Sequence, residues 1–455
     1  MNTEEIRRLE EIDRKHVWHP FTQMKGWMEE PPLIVERAEG NWLIDVHGRR
    51  YLDGVSSLWV TVHGHRVPEI DDAVRAQLDR VAHSTLLGLA SVPSIELAER
   101  LVRIAPRGLT RVFYSDSGST AVEIALKIAY QFWQQQPGGS AKKRFVCFEN
   151  AYHGDTLGSV SVGGIDLFHQ VYRPLLFETL RVPSPYCFRC PIGKSYPSCE
   201  VACLAPLEML LAERADEIVA VVIEPQVQGA AGMLVQPAGF LRRVRELCDR
   251  AGVLLITDEV ATGFGRTGTM FACQREGVVP DLLCLAKGIT GGYLPLAATL
   301  ATERVFEGFL AEFRDRRTFF HGHTYTGNPL ACAAAIANID LLERTALVGT
   351  VDEKGELLAA ALASLAEHPH VGEIRQRGLM VGVELVRDRT TKAEFDYGDR
   401  IGHRVILAAR KRGVILRPLG DVVVLMPPLA ISRDEIELLA RAVRESIDEV
   451  LPRGA

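Results

Sequence analysis

The chain has no long apolar run, no long basic block and no apolar leader at its start. No stretch of its 455 residues approaches the roughly 18 consecutive apolar residues of a membrane-spanning helix, so we expect no membrane partner. The charged opening MNTEEIRRLEEIDRKH lacks the pattern of a secretory signal, which favours a cytoplasmic protein. Because 58 acidic residues slightly outnumber 52 Lys and Arg, we expect small-molecule substrates and no nucleic acid.

Cysteines are few, and their odd number of nine does not suggest a disulfide framework. Five of them are isolated in apolar surroundings typical of reduced core thiols: Cys147, Cys248, Cys273, Cys284 and Cys332. The other four form a C-x2-C-x8-C-x3-C pattern in a Pro- and Tyr-rich loop: Cys187, Cys190, Cys199 and Cys203. This spacing is compatible with metal ligands, but our prediction is a loop without metal.

The order of predicted elements indicates an α/β protein. Helical stretches alternate with short β-branched runs at 111–115, 144–148, 218–223, 253–257 and 282–285. This alternation predicts a mostly parallel sheet with crossover helices. After residue 341 the order changes to helix, strand (378–385), helix (401–411), two strands (414–416 and 422–426) and a last helix from 433. We therefore predict a large domain over 66–340, a smaller α+β domain over 341–455, and an N-terminal segment, 1–65, packed with the small domain.

Two buried strands end in side chains that suggest chemistry. Asp258 ends the apolar run VLLITD before a Gly-rich loop, and ligands of open α/β sheets bind at that end of the strands. Burying a carboxylate is costly unless a positive group such as a protonated pyridine nitrogen meets it; a helix cap or a pair with an arginine is the alternative. Lys287 ends DLLCLAK before Gly288. Burial would lower its pKa and yield a neutral amine that attacks an aldehyde and moves a proton, although most lysines are solvated surface charges.

A phosphate cradle and an aromatic platform are predicted near the same sheet edge. The strand RVFYSDS runs into Gly118 and Ser119 and then into a helical pattern. Free N–H groups at a helix start bind phosphate, and ordinary N-capping is the alternative. Tyr152, with His153 beside it, follows the strand RFVCFEN. Its ring suits stacking on a flat cofactor, whereas simple packing is the commoner use of such a residue.

Further polar candidates stand in turns. Gly322, His323 and Thr324 form a polar loop ahead of an Ala-rich helix that starts near Pro329, and the Thr324 hydroxyl is a candidate donor to a phosphate. Arg266 and Arg417 each follow apolar residues into a turn. That setting suits capture of a substrate carboxylate, with a surface salt bridge as the alternative.

Six segments together resemble the motif set of the class III (omega) aminotransferases over nearly the whole chain: SDSGS, NAYHGD, IEP at 223–225, TDEVATGFGRTG, LAKGITGGYLP and GHTYTGNP. The resemblance implies the fold type I of pyridoxal-phosphate-dependent transferases, pyridoxal 5'-phosphate as cofactor, and a homodimer with a shared active site. It implies these roles: Gly118 and Ser119 for the phosphate, with Thr324 from the neighbouring chain; Tyr152 for the ring and the substrate; Asp258 for the pyridine nitrogen; Lys287 for the Schiff base; Gly322 and Arg417 for the substrate.

Three more segments, HVWHPFTQM, SSLWVTVHGH and RPLGDVVVLMPPL, resemble the members of that family that aminate 8-amino-7-oxononanoate in biotin biosynthesis. They make Phe21, Leu58 and Trp59 substrate-binding candidates. Members that use S-adenosylmethionine as amino donor have Tyr and Trp at the first two positions, and Phe21 with Leu58 resembles the lysine-using variant. The donor therefore stays open between these two. Another omega-amino acid or diamine aminotransferase, an aminomutase of the glutamate-semialdehyde kind, and a non-enzymatic cofactor-binding regulatory domain are the alternatives.

Overall fold

The strands follow the apolar runs of the sequence, and several are buried along their whole length, as expected where helices cover both faces of a sheet. The strands of the computed structural model, which describes residues 1–137 and 141–453, are β1 (Val35–Glu39), β2 (Trp42–Asp45), β3 (Arg50–Asp53), β4 (Leu109–Ser115), β5 (Arg144–Phe148), β6 (Leu180–Val182), β7 (Ile218–Ile223), β8 (Val227–Gln228), β9 (Leu234–Val235), β10 (Leu254–Asp258), β11 (Leu282–Leu285), β12 (Ala297–Thr302), β13 (Val371–Arg377), β14 (Met380–Leu385), β15 (Val414–Ile415), β16 (Arg417–Leu419) and β17 (Val422–Leu425).

The α-helices alternate with these strands through the first two thirds of the chain. They span Thr3–His16, Met24–Glu29, Pro68–Leu78, Val92–Ile104, Gly118–Gln134, Leu157–Val162, Asp166–His169, Ala205–Arg214, Phe240–Ala251, Glu303–Glu307, Pro329–Arg344, Val351–Leu362, Ile401–Lys411 and Arg433–Val450. The Ala-rich helix predicted to begin near Pro329 is confirmed. Among the described residues, no helix combines the length and the apolar character needed to cross a membrane.

The central sheet positions the site. Its strand order is β4-β12-β11-β10-β7-β5-β6, and the five strands from β11 to β6 run parallel. Only β12 runs antiparallel to both of its neighbours. The prediction of an α/β fold with a mostly parallel sheet is therefore confirmed. Because the carboxyl ends of β4, β5, β10 and β11 share one edge, the residues that follow these strands lie close together.

Of two smaller sheets, one joins N-terminal strands to a C-terminal strand and the other is built from C-terminal strands alone. The order β1-β2-β3-β15 places a C-terminal strand beside β3 in parallel, and β13-β14-β17-β16 forms an antiparallel sheet. The helices Ile401–Lys411 and Arg433–Val450 pack against each other in this region. The pairing of β3 with β15 supports the proposal that residues 1–65 pack with a small domain of residues 341–455, whose boundaries stay predictions.

The cysteines divide as the sequence suggests. The five isolated thiols are buried, which confirms their predicted place in the core, and the other four range from buried to exposed. Those four side chains line one small cavity in the loop before the helix Ala205–Arg214. Within the described residues, no group of three or more His, Cys, Asp or Glu side chains is arranged to hold a metal ion.

Candidate active site

A cavity of about 700 Å³ opens at the carboxyl edge of the central sheet. It gathers side chains from segments far apart in sequence, because the strands that carry them end side by side. The candidates from the sequence that line it are Trp59, Gly118, Ser119, Tyr152, Asp258 and Lys287. The candidates outside its lining are Phe21, Leu58, Arg266, Gly322, His323, Thr324 and Arg417.

Lys287 begins a short 3₁₀ turn directly after β11. Its φ of 48° lies in the left-handed region, which a side chain other than glycine adopts only at a cost and which is often found at functional sites. Burial lowers the pKa of its amine to about 8, against the opposing effects of the Asp258 and Glu224 carboxylates. Near neutral pH a far larger fraction of this amine than of an exposed lysine is therefore neutral and nucleophilic.

Asp258 ends β10 with its side chain only 5% exposed. One carboxylate oxygen accepts a hydrogen bond from the Val260 N–H at 3.0 Å, and the other lies 2.7 Å from Nδ1 of His153. Burial lowers the pKa of His153, but the hydrogen bond to Asp258 and the nearby charges of Asp258 and Glu224 together outweigh burial, and the pKa is raised. These two contacts hold the Asp258 carboxylate at the cavity wall in a fixed orientation.

The helix Gly118–Gln134 begins at the cavity. Ser117 caps it through Thr120, so both predicted roles of this loop, a cap and an anion cradle, fit the geometry. A Cβ at Gly118 would lie 2.5 Å from a methyl of Val260, so only glycine fits between this helix start and the residue that follows Asp258 and Glu259. The Ser119 hydroxyl meets that of Thr156 at 2.7 Å. This end of a 17-residue helix lines the cavity, and N–H groups at a helix start are suited to binding an anion.

Tyr152 forms one wall, and Glu224 holds it there. The Glu224 carboxylate accepts hydrogen bonds from the N–H groups of Tyr152 and Gly229, both at 3.1 Å. Burial raises the pKa of Glu224 to about 7. The Tyr152 hydroxyl donates to Asp155 at 2.7 Å, and burial raises its pKa above the ordinary range. No sequence pattern singles out Glu224 beyond its place in the IEP segment, because its partners are backbone groups that side-chain patterns do not reveal.

Trp59 forms the wall nearest the amine of Lys287, whose Nζ lies 4.9 Å from the centre of the indole ring. Trp59 is 5% exposed and its neighbour Leu58 is 47% exposed. Both belong to the turn Ser56–Trp59, in which four successive φ angles are 50°, 48°, 79° and 70°. A left-handed turn costs L-residues about 1–2 kcal/mol each, so this segment is strained.

Arg417 and Phe21 lie together outside the cavity lining. The Arg417 guanidinium carbon is 5.7 Å from the centre of the Phe21 ring. Phe21 also meets Phe168 edge to face at 5.5 Å, and Phe168 in turn lies 6.3 Å from the ring of Tyr152. Burial lowers the pKa of Arg417, and Tyr152 is the group that opposes this effect. These contacts join the predicted substrate residues to the cavity wall through a series of aromatic rings.

Arg266 lies in a setting that differs from both sequence interpretations. Its side chain is 2% exposed, and its terminal nitrogens donate to the backbone oxygens of Pro427 and Thr61, both at 2.6 Å. A guanidinium whose two ends are taken by carbonyls does not present a fork to a carboxylate. The geometry thus favours a structural role over the predicted substrate contact, and it excludes a surface salt bridge.

The loop of Gly322, His323 and Thr324 lies on the surface of this chain. Gly322 and Thr324 are exposed, and His323 Nδ1 lies 2.7 Å from the carboxylate of Asp116, a residue of the cavity lining. The loop therefore stands at the cavity mouth without entering it. Sequence reasoning missed Asp116, which sits inside the SDSGS segment but resembles an ordinary turn residue.

The residues of the cavity fit a flat, phosphorylated pyridine aldehyde. The helix start at Gly118 offers N–H groups to a phosphate, and the fixed carboxylate of Asp258 suits a protonated ring nitrogen. Lys287 supplies an amine with a lowered pKa for an aldehyde. Nε2 of His153 is buried without a hydrogen-bond partner within the described part of the chain.

Comparisons with known proteins agree with this geometry. The model of the class-III aminotransferase family matches residues 24–447. The adenosylmethionine-8-amino-7-oxononanoate aminotransferase of Nitratidesulfovibrio vulgaris is 62% identical over 98% of this chain and 83% of its own length. The crystal structure of the enzyme of the same name from Methanocaldococcus jannaschii superposes with a TM-score of 0.92, at 45% identity, over 97% of this chain and 99% of that one.

A further solved structure bears on the cofactor. An amine transaminase from an uncultivated Pseudomonas species, crystallised in its PLP-bound form, superposes with a TM-score of 0.91 at 39% identity, over 95% of this chain and 98% of that one. The fold, the family match and the placement of Lys287 and Asp258 lead to one conclusion. The chain belongs to the class III aminotransferase family and is a pyridoxal-phosphate-dependent transaminase.

Proposed function

We propose that this chain aminates 8-amino-7-oxononanoate to 7,8-diaminononanoate, a step of biotin biosynthesis, at the cavity around Lys287. The observation that carries the proposal is the placement of an amine with a lowered pKa beside a fixed carboxylate at the carboxyl edge of the sheet. The choice of acceptor rests on two relatives, 62% and 56% identical to this chain, that are named adenosylmethionine-8-amino-7-oxononanoate aminotransferases.

The residues of the cavity divide the work by position. Pyridoxal phosphate supplies, when bound, an aldehyde and a ring that takes up an electron pair. Asp258, oriented by His153, holds the ring nitrogen protonated, and the helix start at Gly118 and Ser119 binds the phosphate. Lys287 would hold the cofactor at its aldehyde carbon, and as a free amine it would accept and return the proton of the substrate carbon. The donor and acceptor halves use the same residues.

The substrate side of the site is proposed to lie between Trp59, Tyr152 and the pair formed by Phe21 and Arg417. The two predicted arginines differ. Within the described part of the chain, the terminal nitrogens of Arg266 donate to carbonyl groups, and those of Arg417 do not. The Arg417 guanidinium suits the carboxylate of a long amino acid. Phe21 and Leu58, 59% and 47% exposed, would contact the donor.

We also infer a cytoplasmic homodimer with a shared site. Leu87 and Tyr325 are 90% and 60% exposed, and they belong to segments that pack together, since the Tyr325 ring lies 4.7 Å from that of His83. An exposed apolar surface of this kind is typical of a subunit interface. It borders the loop of Gly322 to Thr324, which supports donation of Thr324 to the phosphate of a neighbouring copy.

The first test distinguishes the two candidate amino donors and checks the proposed acceptor. We expect L-lysine to bleach the absorbance band of the bound cofactor and 8-amino-7-oxononanoate to restore it. S-adenosylmethionine should act about tenfold more slowly, because Phe21 and Leu58 lack a hydroxyl and an indole for the adenosyl group, and one aromatic contact is worth about 0.5–1.5 kcal/mol. The double variant Phe21→Tyr, Leu58→Trp should favour S-adenosylmethionine. Bleaching by S-adenosylmethionine alone would assign the donor named in the relatives. Failure of 8-amino-7-oxononanoate to restore the band would refute the proposed acceptor.

The pH dependence of cofactor capture tests Lys287 directly. Because only the neutral amine attacks an aldehyde, the rate at which the cofactor-free protein captures pyridoxal phosphate should rise with pH through a midpoint near the lowered pKa of Lys287, about 8. An exposed lysine would give a midpoint near 10.4. The rate is followed by the growing absorbance band, with a small lysine analogue to correct for titration of the cofactor itself. A midpoint above about 10 would contradict burial of a reactive Lys287.

A further inference from the structure

The turn Ser56–Trp59 is left-handed, a conformation that residues other than glycine rarely adopt. All four φ angles lie between 48° and 79°, and the ψ angles of Ser57 and Leu58 are 44° and 49°. The Trp59 N–H donates to the Val55 carbonyl at 2.8 Å, and the Val60 N–H to the Ser56 carbonyl at 2.9 Å. These are the bonds of a left-handed helical turn, which L-residues rarely form in succession. No residue in it is a glycine, so the surroundings must impose this conformation.

The Asp53 carboxylate, fully buried at the end of β3, imposes it most directly. One oxygen accepts a hydrogen bond from the Ser57 N–H at 2.9 Å, and the other accepts one from the Ser57 hydroxyl at 2.7 Å. Nε2 of His65 lies 3.0 Å from the second oxygen. The Ser56 hydroxyl donates to the Met426 carbonyl at 2.7 Å, which fixes the start of the turn to the small domain.

The turn delivers Trp59 to the reactive amine. The indole ring lies 4.9 Å from Nζ of Lys287. Gly229, the residue after β8, also approaches the indole closely, since a Cβ on Gly229 would lie 3.3 Å from the ring. Beyond the turn, Arg266 donates to the Thr61 carbonyl at 2.6 Å. A right-handed turn would send the side chain of Trp59 in another direction, so the hand of the turn determines what covers Lys287.

We propose that Asp53 is a positioning residue that holds the turn Ser56–Trp59 left-handed and thereby keeps the Trp59 ring packed against Lys287. This inference rests on the proposed role of Lys287. It extends that role by assigning the apolar cover of the amine to a residue remote from the reacting atoms. Asp53 does not line the cavity, so its effect must pass through Ser57 and the turn.

The strain is tested by a pair of variants that remove the same side chain. Leu58 is half exposed and its φ is 79°. Leu58→Gly and Leu58→Ala both lose the isobutyl group, but only glycine is at ease in the left-handed region. Glycine normally lowers stability relative to alanine, and here we expect the melting temperature of Leu58→Gly to exceed that of Leu58→Ala by about 2–4 °C. Equal melting temperatures, or a lower one for glycine, would overturn the strained turn.

The positioning is tested by the midpoint pH of pyridoxal-phosphate capture. The charged groups that act on Lys287 are Asp258, Glu224, Arg417 and Arg266, and none is altered in Asp53→Asn. If Trp59 moves away, water reaches the amine, and we expect the midpoint to rise by about one pH unit. Ser57→Ala, which removes the hydroxyl that donates to Asp53 and leaves Asp53 itself unaltered, should shift it in the same direction. It therefore keeps the test valid if Asp53→Asn folds poorly.

Asp45→Asn is the matched control. Asp45 is also buried, at the end of β2 in the same sheet, and it accepts hydrogen bonds from the N–H groups of His47 and Arg49, both at 2.9 Å. We expect this variant to lose stability while its capture midpoint stays at the wild-type value. An unchanged midpoint in both Asp53→Asn and Ser57→Ala would refute the positioning role of Asp53. Absence of capture by the wild-type protein would instead refute the proposed function.

Discussion

Lys287→Ala is expected to abolish transamination, with kcat/KM falling by at least about 10⁴-fold, the upper end of what one general base contributes. The variant loses two functions together, the amine that bonds to the cofactor aldehyde and the base that moves the proton. The absorbance band of the linked cofactor should disappear. In the wild-type protein, borohydride should fix the cofactor to the peptide that contains Lys287, and mass spectrometry of a digest would identify it.

Lys354→Ala is the control for this variant. Burial lowers the pKa of Lys354 as well, but its amine donates to the Leu429 carbonyl at 2.6 Å, and Lys354 is not among the residues that line the cavity. We expect Lys354→Ala to keep the band and its activity while losing some stability. If Lys287→Ala retained a borohydride-reducible linkage to the cofactor, or if the linkage mapped to another lysine, the assignment of Lys287 would be wrong.

The sequence predicts the central strands closely where burial is complete. β7 and β11 match the predicted bounds to the residue, because an apolar run buried on both faces is a strong signal. β12, with the sequence AATLAT, was not predicted, since it consists mostly of alanine and threonine and has only one large apolar side chain. β13 was also missed, because most of its residues are half-buried and polar.

Some residues of the candidate site could likewise be predicted from the sequence, and others could not. Lys287 and Asp258 could be predicted because each ends an apolar strand, and the topology brings such ends together. The left-handed turn before Trp59 could not, since Ser, Leu and Trp give no local signal for positive φ. It exists only because tertiary partners such as Asp53 hold it. Sequence patterns also do not predict that the Thr324 loop is exposed on this chain, because its proposed partner is a second copy of the chain.

Asp258→Asn should lower kcat by about 10²–10³·⁵-fold. Removing one partner of a buried ion pair costs about 3–5 kcal/mol, and each 1.36 kcal/mol is tenfold in rate. Asparagine keeps the shape of the side chain but carries no charge to hold the ring nitrogen protonated, so the electron pair from the substrate carbon is taken up less readily. The cofactor should still bind through Lys287 and the helix start at Gly118, and single-turnover measurements of the donor half-reaction would isolate the loss.

Glu259→Gln is the informative comparison, because two adjacent buried carboxylates are expected to have different tasks. Glu259 accepts hydrogen bonds from the N–H groups of Ala272 and Cys273 at 2.7 and 2.8 Å, and it does not line the cavity. Loss of this carboxylate in Glu259→Gln should lower the melting temperature and leave kcat of the folded protein nearly unchanged. If both variants lowered kcat alike, the charge of Asp258 would have no special relation to the ring. A selective loss in Asp258→Asn would tie the electron uptake to this one carboxylate, which His153 orients from behind.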